Sequence, residues 1–373
     1  MFIVGEASGD AHAARVVSAL KAQDPTLSIS GVGGEKLRQA GMTVDIDFSE
    51  LAVMGLVEVL KQYRHLKGIY QRVVQLLHDK KPNLLCLVDY PGFNLKLAKD
   101  AKRLGIPIVY YISPKVWAWR PNRVKIIQRY VDKMLVLFPF EVPIYQQAAV
   151  PVSCVGHPLV DAVKRTQTLS QAKEQLGLNR HPVIGLFPGS RQHEIASLLP
   201  LFIDAAEKIA LQRPDVQFVI PVAPGIKQQQ IETILARTSL PIEVCHDQFY
   251  QVASACDAVV AASGTVTLEL ALLNVPHFIC YRVSAITYYI MRVLIRIPYV
   301  GLCNIVTNDR LITEVLQTEL TANRIEKELL NQIADPDSHK MAAIIGKKVR
   351  AALGQSGGAC RAADEIKALL HDE

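Results

Sequence analysis

Short runs in which nearly every position is apolar alternate along the chain with longer stretches that are apolar at every third or fourth position. In the first half, residues 2–4, 84–88, 108–112 and 133–137 predict buried strands, and residues 10–23, 57–79 and 95–104 predict helices. The scheme repeats in the second half, with strands at 183–187, 217–221, 242–245, 258–262 and 277–280 and helices at 200–212, 227–236, 250–255 and 265–273. A strand without polar alternation is covered on both faces, and strands alternating with helices build parallel sheets, so the class is α/β. Residues 150–158 carry a last strand of the first half into a crossover, and the linker falls near 156–166. At 373 residues the chain exceeds one ordinary core. The predicted organisation is a Rossmann-like domain over 1–160, a second over 161–342, and C-terminal helices over 343–373, interrupted near 354–358, that pack back on the first.

In parallel sheets of this kind ligands bind beyond the carboxyl ends of the strands, at the point where strand order reverses. Candidate chemistry is therefore sought in the segments that follow a predicted strand. The richest is Ala261-Ala262-Ser263-Gly264-Thr265-Val266-Thr267-Leu268-Glu269, a small-residue turn that opens a helix. Backbone N–H groups of Ser263, Gly264 and Thr265, backed by the helix dipole, suit a phosphate, and Glu269 one turn on can accept from ribose hydroxyls. Gly185-Leu186-Phe187-Pro188-Gly189-Ser190-Arg191 places a guanidinium fork just after another strand, fit for a diphosphate.

In the first half, Gly5-Glu6-Ala7-Ser8-Gly9-Asp10 follows the first strand. Ser8 and Asp10 are both plausible helix caps; in the functional reading Gly9 lets backbone approach a substrate while Glu6 or Asp10 points at it. Asp89 ends the strand at 84–88 and is either a turn cap or a general base toward a hydroxyl, while Asn94 suits a helix cap. Ser113-Pro114-Lys115-Val116-Trp117-Ala118-Trp119-Arg120 holds both tryptophans of the chain beside basic residues, as an amphipathic ligand or a packed rim would require. Arg120, Arg123 and Lys125 suit an acceptor phosphate or a solvated helix face.

Composition narrows the classes. Half the residues are hydrophobic and 20% are charged, with mean hydropathy +0.19, which excludes disorder and leaves apolar surface for a greasy partner. The formal charge of +6 is scattered, which argues against nucleic acid. Seven cysteines lie far apart, without metal-ligand spacing, and read as reduced core residues of a cytosolic protein. The chain opens inside a strand with no export signal, which points to residues of that strand missing upstream. Residues 286–303 are apolar but broken by Arg292, Arg296 and Pro298, short of a membrane span. Residues 53–67 mix apolar positions, among them Leu56, Val57, Val59 and Leu60, with Lys61, Arg64 and Lys67, as an interfacial helix or a core-facing helix does.

Taken in order, GEASGD (5–10), ELAVMGLVEVL (50–60), VDYPGFN (88–94), SPKVWAWR (113–120), FPFE (138–141), GHPLVD (156–161), FPGSR (187–191), ASGTVTLE (262–269) and YRVS (281–284) resemble the lipid-A-disaccharide synthases, glycosyltransferase family 19 of Gram-negative lipopolysaccharide assembly. The resemblance implies a GT-B architecture, two Rossmann-like domains facing across a cleft, and an inverting transfer with no metal and no cofactor. A 2,3-diacylglucosamine would move from UDP to the 6-hydroxyl of 2,3-diacylglucosamine 1-phosphate. It implies Asp89 as the base; Arg191, Ser263, Gly264, Thr265, Glu269 and Asn304 on the donor side; Glu6, Ser8, Gly9, Asp10, Trp117 and Arg120 on the acceptor side; and Leu56, Val57, Val59 and Leu60 at the membrane. The expected setting is cytoplasmic, peripheral to the inner membrane, with a homodimer left open. Gly92 stands where some relatives carry a second acid, so no role for that carboxylate transfers. The rival expectations are another GT-B enzyme acting on UDP-N-acetylglucosamine, an epimerase or a peptidoglycan-precursor transferase, and a non-catalytic nucleotide-binding or membrane scaffold. A Rossmann oxidoreductase is disfavoured because no GxGxxG follows the first strand.

Overall fold

The computed structural model describes residues 1–51, 59–178, 182–223, 225–284, 288 and 297–371, with side chains left aside at 59–64 and 371. The chain divides into two compact units, Met1–Asp161 with Leu353–Glu373, and Ala162–Ala352. Residues 343–352, which the sequence reading groups with the first domain, lie in the second unit: the helix Ser338–Ala352 packs on the helix Thr265–Leu272. Gly346 makes this possible, since a Cβ there would lie 2.4 Å from the Ala271 carbonyl. The helix Gly358–His371 packs instead on the helix Ala7–Gln23 of the first unit.

The first unit holds one parallel sheet of seven strands, β1 (Phe2–Val4), β2 (Ser30–Gly33), β3 (Thr43–Asp47), β4 (Leu85–Val88), β5 (Ile108–Tyr111), β6 (Lys133–Val136) and β7 (Val152–Cys154), in the order β3-β2-β1-β4-β5-β6-β7. Strands β1, β4 and β5 are buried at every residue, as the unbroken apolar runs predict. Two further strands, β2 and β3, escaped the sequence reading. β2 reads Ser-Gly-Val-Gly, with too little apolar pattern to register; Gly31, at φ +140°, sits where a Cβ would lie 2.1 Å from the Phe2 carbonyl of β1.

The second unit repeats the plan with β8 (Val183–Phe187), β9 (Gln217–Val222), β10 (Ile242–His246), β11 (Ala258–Ala262), β12 (His277–Tyr281) and β13 (Glu314–Leu316), ordered β10-β9-β8-β11-β12-β13. Its core joins β8, β9 and β11 to the helix Gln192–Gln212 through Leu186, Phe202, Ile209 and Phe218. That helix starts eight residues before Pro200, where the sequence reading began it, because the Glu194 carboxylate caps its first turn.

Numbered within its own sheet, the second unit has the order 3-2-1-4-5-6 and the first has the same order with a seventh strand added at the end, the doubly wound arrangement whose switch point lies between the first and fourth strands. That places the switch points at β1/β4 and β8/β11. All the motifs singled out from sequence in segments 5–10, 89–94, 187–191 and 262–269 leave those four strands.

Candidate functional site

In the first unit the β4 strand ends in an unusual turn. Asp89 and Tyr90 both adopt positive φ, 43° and 47°, a region that costs a residue with a Cβ on the order of 1 kcal/mol or more. The neighbours enforce it. The Asp89 carbonyl accepts from Tyr110 Oη at 2.6 Å and from Asn94 Nδ2 at 2.7 Å, and its N–H extends the ladder to the Tyr111 carbonyl at 2.9 Å. Gly5 allows the Tyr90 ring to settle over β1, since a Cβ at Gly5 would lie 2.3 Å from that ring. Pro91 then opens the helix Pro91–Arg103.

The turn leaves the Asp89 side chain only partly exposed. Burial, and then the Glu6 carboxylate, push its pKa up to about 6, while the Tyr90 N–H, Lys115 and Arg123 pull the other way. Those interactions bring Glu6, Lys115 and Arg123 into the electrostatic neighbourhood of Asp89. A carboxyl with this pKa is ionised at neutral pH yet basic enough to take a proton from a hydroxyl in a transition state.

The other acceptor-side residues divide. Glu6 is exposed at the start of the helix Ala7–Gln23, and Ser8 Oγ donates to its carboxylate. Gly9 is buried, its Cα hydrogens facing Val4 and Val88, so it serves helix-on-sheet packing. Asp10 is 3% exposed, and its carboxylate accepts from the N–H groups of Gly34 at 2.7 Å and Lys36 at 3.0 Å. It therefore caps the helix Glu35–Gln39 and braces the turn after β2 rather than presenting a free carboxylate.

Trp117 donates from its indole N–H to Glu141 Oε1 at 3.1 Å and meets the Phe140 ring edge-on. Glu141 is a residue the sequence reading passed over except as part of a motif. It is 2% exposed, and burial pushes its pKa up to about 7 against the bonds from the Phe138 amide and Trp117. Phe138 stacks on both Phe140 and His157. Burial drives His157 down to about 3 and His12 down to about 4, so both imidazoles are neutral at physiological pH. His12 Nδ1 is buried with no partner among the described residues. Two phenylalanines followed directly by an acid in FPFE are the signal that could have flagged this cluster.

In the second unit, the turn after β11 differs in one respect from expectation. The Ser263 amide is not free: it donates to the Cys280 carbonyl at 2.9 Å, because the β11/β12 ladder runs one residue past the strand. The open donors are those of Gly264 and of Thr265 at the head of the helix Thr265–Leu272, which have no acceptor within their own helix. Among the described residues, no atom lies within 4 Å of where a Gly264 Cβ would stand. Glu269 accepts from Tyr250 Oη at 2.9 Å, and burial raises its pKa.

After β8, Gly189 at φ +109° makes the turn, and the Glu194 carboxylate accepts from the amides of Ser190 at 3.0 Å and Arg191 at 3.1 Å. The Arg191 side chain is 71% exposed and 3.3 Å from the same carboxylate, a pair too solvated to hold it firmly.

Asn304, expected to line the donor pocket, is fully buried. Its Nδ2 donates to the Ile312 carbonyl and to Glu314 Oε1, and its Oδ1 accepts from the Ile312 N–H. Glu314 in turn accepts from the Val300 and Gly301 amides, and the Val300 carbonyl accepts from Ser263 Oγ at 3.1 Å. Asn304 thus acts on the anion turn at third hand. Asn304→Ala is expected to cost about 3 kcal/mol in chemical denaturation, since it strands three buried partners; a loss below about 1 kcal/mol would refute the bracing role. Leu56 and Val57 lie outside the described residues. Val59 and Leu60 fall in the first turn of the helix Val59–Lys80, and their side chains are likewise outside the description.

The same architecture occurs in a Neisseria meningitidis UDP-GlcNAc 2-epimerase bound to UDP-GlcNAc, with TM-score 0.65 at 14% identity over 100% of this chain and 99% of that one. Acinetobacter baumannii MurG gives 0.58 at 14% identity over 99% and 98%. Two parallel sheets of Rossmann order with polar turns at both switch points make this a protein of the GT-B class.

Within that class the sequence is specific. The lipid-A-disaccharide synthetase family model matches residues 1–368. The chain is 45% identical over 337 residues to the lipid-A-disaccharide synthase of Geobacter sulfurreducens, covering 90% of this chain and 88% of that one. With the Geobacter metallireducens synthase the identity is 44% over 371 residues, covering 99% and 97%. This chain belongs to the lipid-A-disaccharide synthase family.

Proposed function

We propose that this chain is the inverting glycosyltransferase that joins UDP-2,3-diacylglucosamine to 2,3-diacylglucosamine 1-phosphate, releasing UDP. The observation that carries the reading furthest is the strained turn at Asp89, an acid with pKa about 6 at the switch point of the first unit. Asp89 takes the proton of the acceptor 6-hydroxyl as that oxygen attacks the anomeric carbon. The bond from the anomeric carbon to the diphosphate breaks on the opposite face, and its electron pair leaves with UDP. The second unit holds the donor: the amides of Gly264 and Thr265, with Arg191, meet the charge that grows on the diphosphate. Glu269, already fixed by Tyr250, is placed one turn along the same helix for the ribose.

Both substrates carry acyl chains, so the reaction belongs at a lipid surface. None of the helices, among the described residues, is long and apolar enough to cross a membrane, which suits a peripheral association. The test is chromatographic: UDP-2,3-diacylglucosamine and its 1-phosphate partner, dispersed in detergent, should yield a β(1→6) disaccharide and one UDP per bond. Epimerisation of UDP-N-acetylglucosamine without disaccharide formation would favour the rival GT-B reading, and UDP binding without either product would favour a scaffold.

A further inference from the structure

The segment that follows β5 carries two cations that act on Asp89, Lys115 and Arg123, and beside them an outward face that Asp89 does not use. Between Ser113 and Val131 there are five cations, Lys115, Arg120, Arg123, Lys125 and Arg129, and no acid. Among the described residues, few large hydrophobic side chains are exposed, and two of them fall in this segment: Trp119 at 38% and Ile126 at 40%.

The local structure explains why both are presented outward. Trp119 closes a turn, its N–H donating to the Lys115 carbonyl at 2.9 Å, and the Arg120 guanidinium lies 4.9 Å from its ring centre. The helix Arg123–Tyr130 then turns Ile127 fully into the core, with Val124 and Tyr130 packed beside it. Helical spacing puts Ile126 on the other side, with Arg123 three residues before it and Arg129 three after. Lys125, Gln128 and Arg129 on that side are exposed. A lone exposed isoleucine is ordinary on a solvated face; here it shares a short segment with an exposed indole and with Arg120, Lys125 and Arg129, and with no acid. An indole and an aliphatic side chain rimmed by cations is the composition that settles at the headgroup level of an anionic bilayer.

We infer that the Trp119–Arg129 face docks this protein on an anionic lipid surface, with Trp119 and Ile126 entering the headgroup region and Lys125 and Arg129 meeting lipid phosphates. The inference extends the proposed function by naming the surface, on a segment separate from 53–67, that meets the membrane.

The chain has only two tryptophans, and Trp117 is engaged with Glu141, so Trp119 reports on its own contact. Vesicles of phosphatidylcholine with phosphatidylglycerol should shift the full-length protein's emission to the blue and allow quenching by brominated lipid. Phosphatidylcholine alone should do neither, and Trp119→Phe should abolish the response. Lys125→Gln with Arg129→Gln should weaken co-sedimentation with the anionic vesicles about thirtyfold, at roughly fivefold per cation, with an unchanged Tm.

Turnover of detergent-dispersed substrates, measured in parallel, separates this inference from the functional reading, which stands or falls on that turnover alone. Anionic vesicles that co-sediment the protein without changing its emission would overturn the docking face. So would a double variant that binds vesicles normally but loses turnover, because its cations would then serve the acceptor phosphate.

Discussion

Asp89→Asn is expected to lower disaccharide formation roughly 10³-fold, within the range a general base contributes, while UDP affinity stays the same. The same variant should be more stable than the parent. The folded-state pKa of Asp89 is about 6 against an ordinary 3.8, so the fold prefers the protonated form. Its contribution is fully present below 3.8 and lost as pH rises through about 6. An amide avoids that loss and should gain about 2 kcal/mol at neutral pH, allowing for solvent screening of a group that keeps some exposure. Catalysis runs in the opposite direction. Only the carboxylate can accept a proton, so kcat/KM of the parent should climb with pH through about 6 and level off above it. Unchanged turnover in the variant, or a parent profile flat across that pH, would remove Asp89 as the base. A variant that lost turnover together with stability would have lost its fold instead.

What the sequence discloses about this molecule is what depends on neighbours along the chain. Strands β1, β4, β8 and β11 are short runs of uninterrupted apolar residues, and the turns after them stand out because Gly, Ser, Asp and Arg interrupt those runs. Both switch points were therefore legible, and with them the α/β class. The missed strands are those whose burial comes from the sheet rather than from their own composition. β2 is half glycine, and β13 is three residues held by β12.

Side-chain partners across long separations were not legible either. Asp10 follows β1 as a cleft residue should, but the N–H donors that its carboxylate accepts from lie 24 and 26 residues on, at Gly34 and Lys36. The Ser263 amide looks open until β12 supplies the Cys280 carbonyl. Asn304 has the chemistry of a ligand-binding amide, and only the fold reveals that Ile312 and Glu314 use every one of its polar atoms. Conversely, Glu141 looked like one more charged residue of a loop, yet burial beneath Trp117 and Phe140 gives it a pKa near 7. In each case the residue type stated a capacity, and the nonlocal partner decided whether that capacity was free or spent.

The donor half-site permits a substitution that separates binding from folding. Gly264→Asp should weaken UDP binding by about a hundredfold or more, because a carboxylate would stand before the Gly264 and Thr265 amides at the position a phosphate needs. The fold should tolerate it. Gly264 lies at φ 163°, extended backbone that any residue adopts, and no atom of the described residues is within 4 Å of the added Cβ. The position is also the N-cap of the helix Thr265–Leu272, where aspartate is among the preferred residues, so stability should hold or rise by a few tenths of a kcal/mol. Gly264→Ala, which adds bulk without charge, should leave both Tm and UDP affinity nearly as they are. Titration calorimetry with UDP beside thermal unfolding reads the two effects independently. An Asp variant that binds UDP like the parent would mean that the diphosphate sits elsewhere. Arg191, at 71% exposed, would then have to be considered without the helix end.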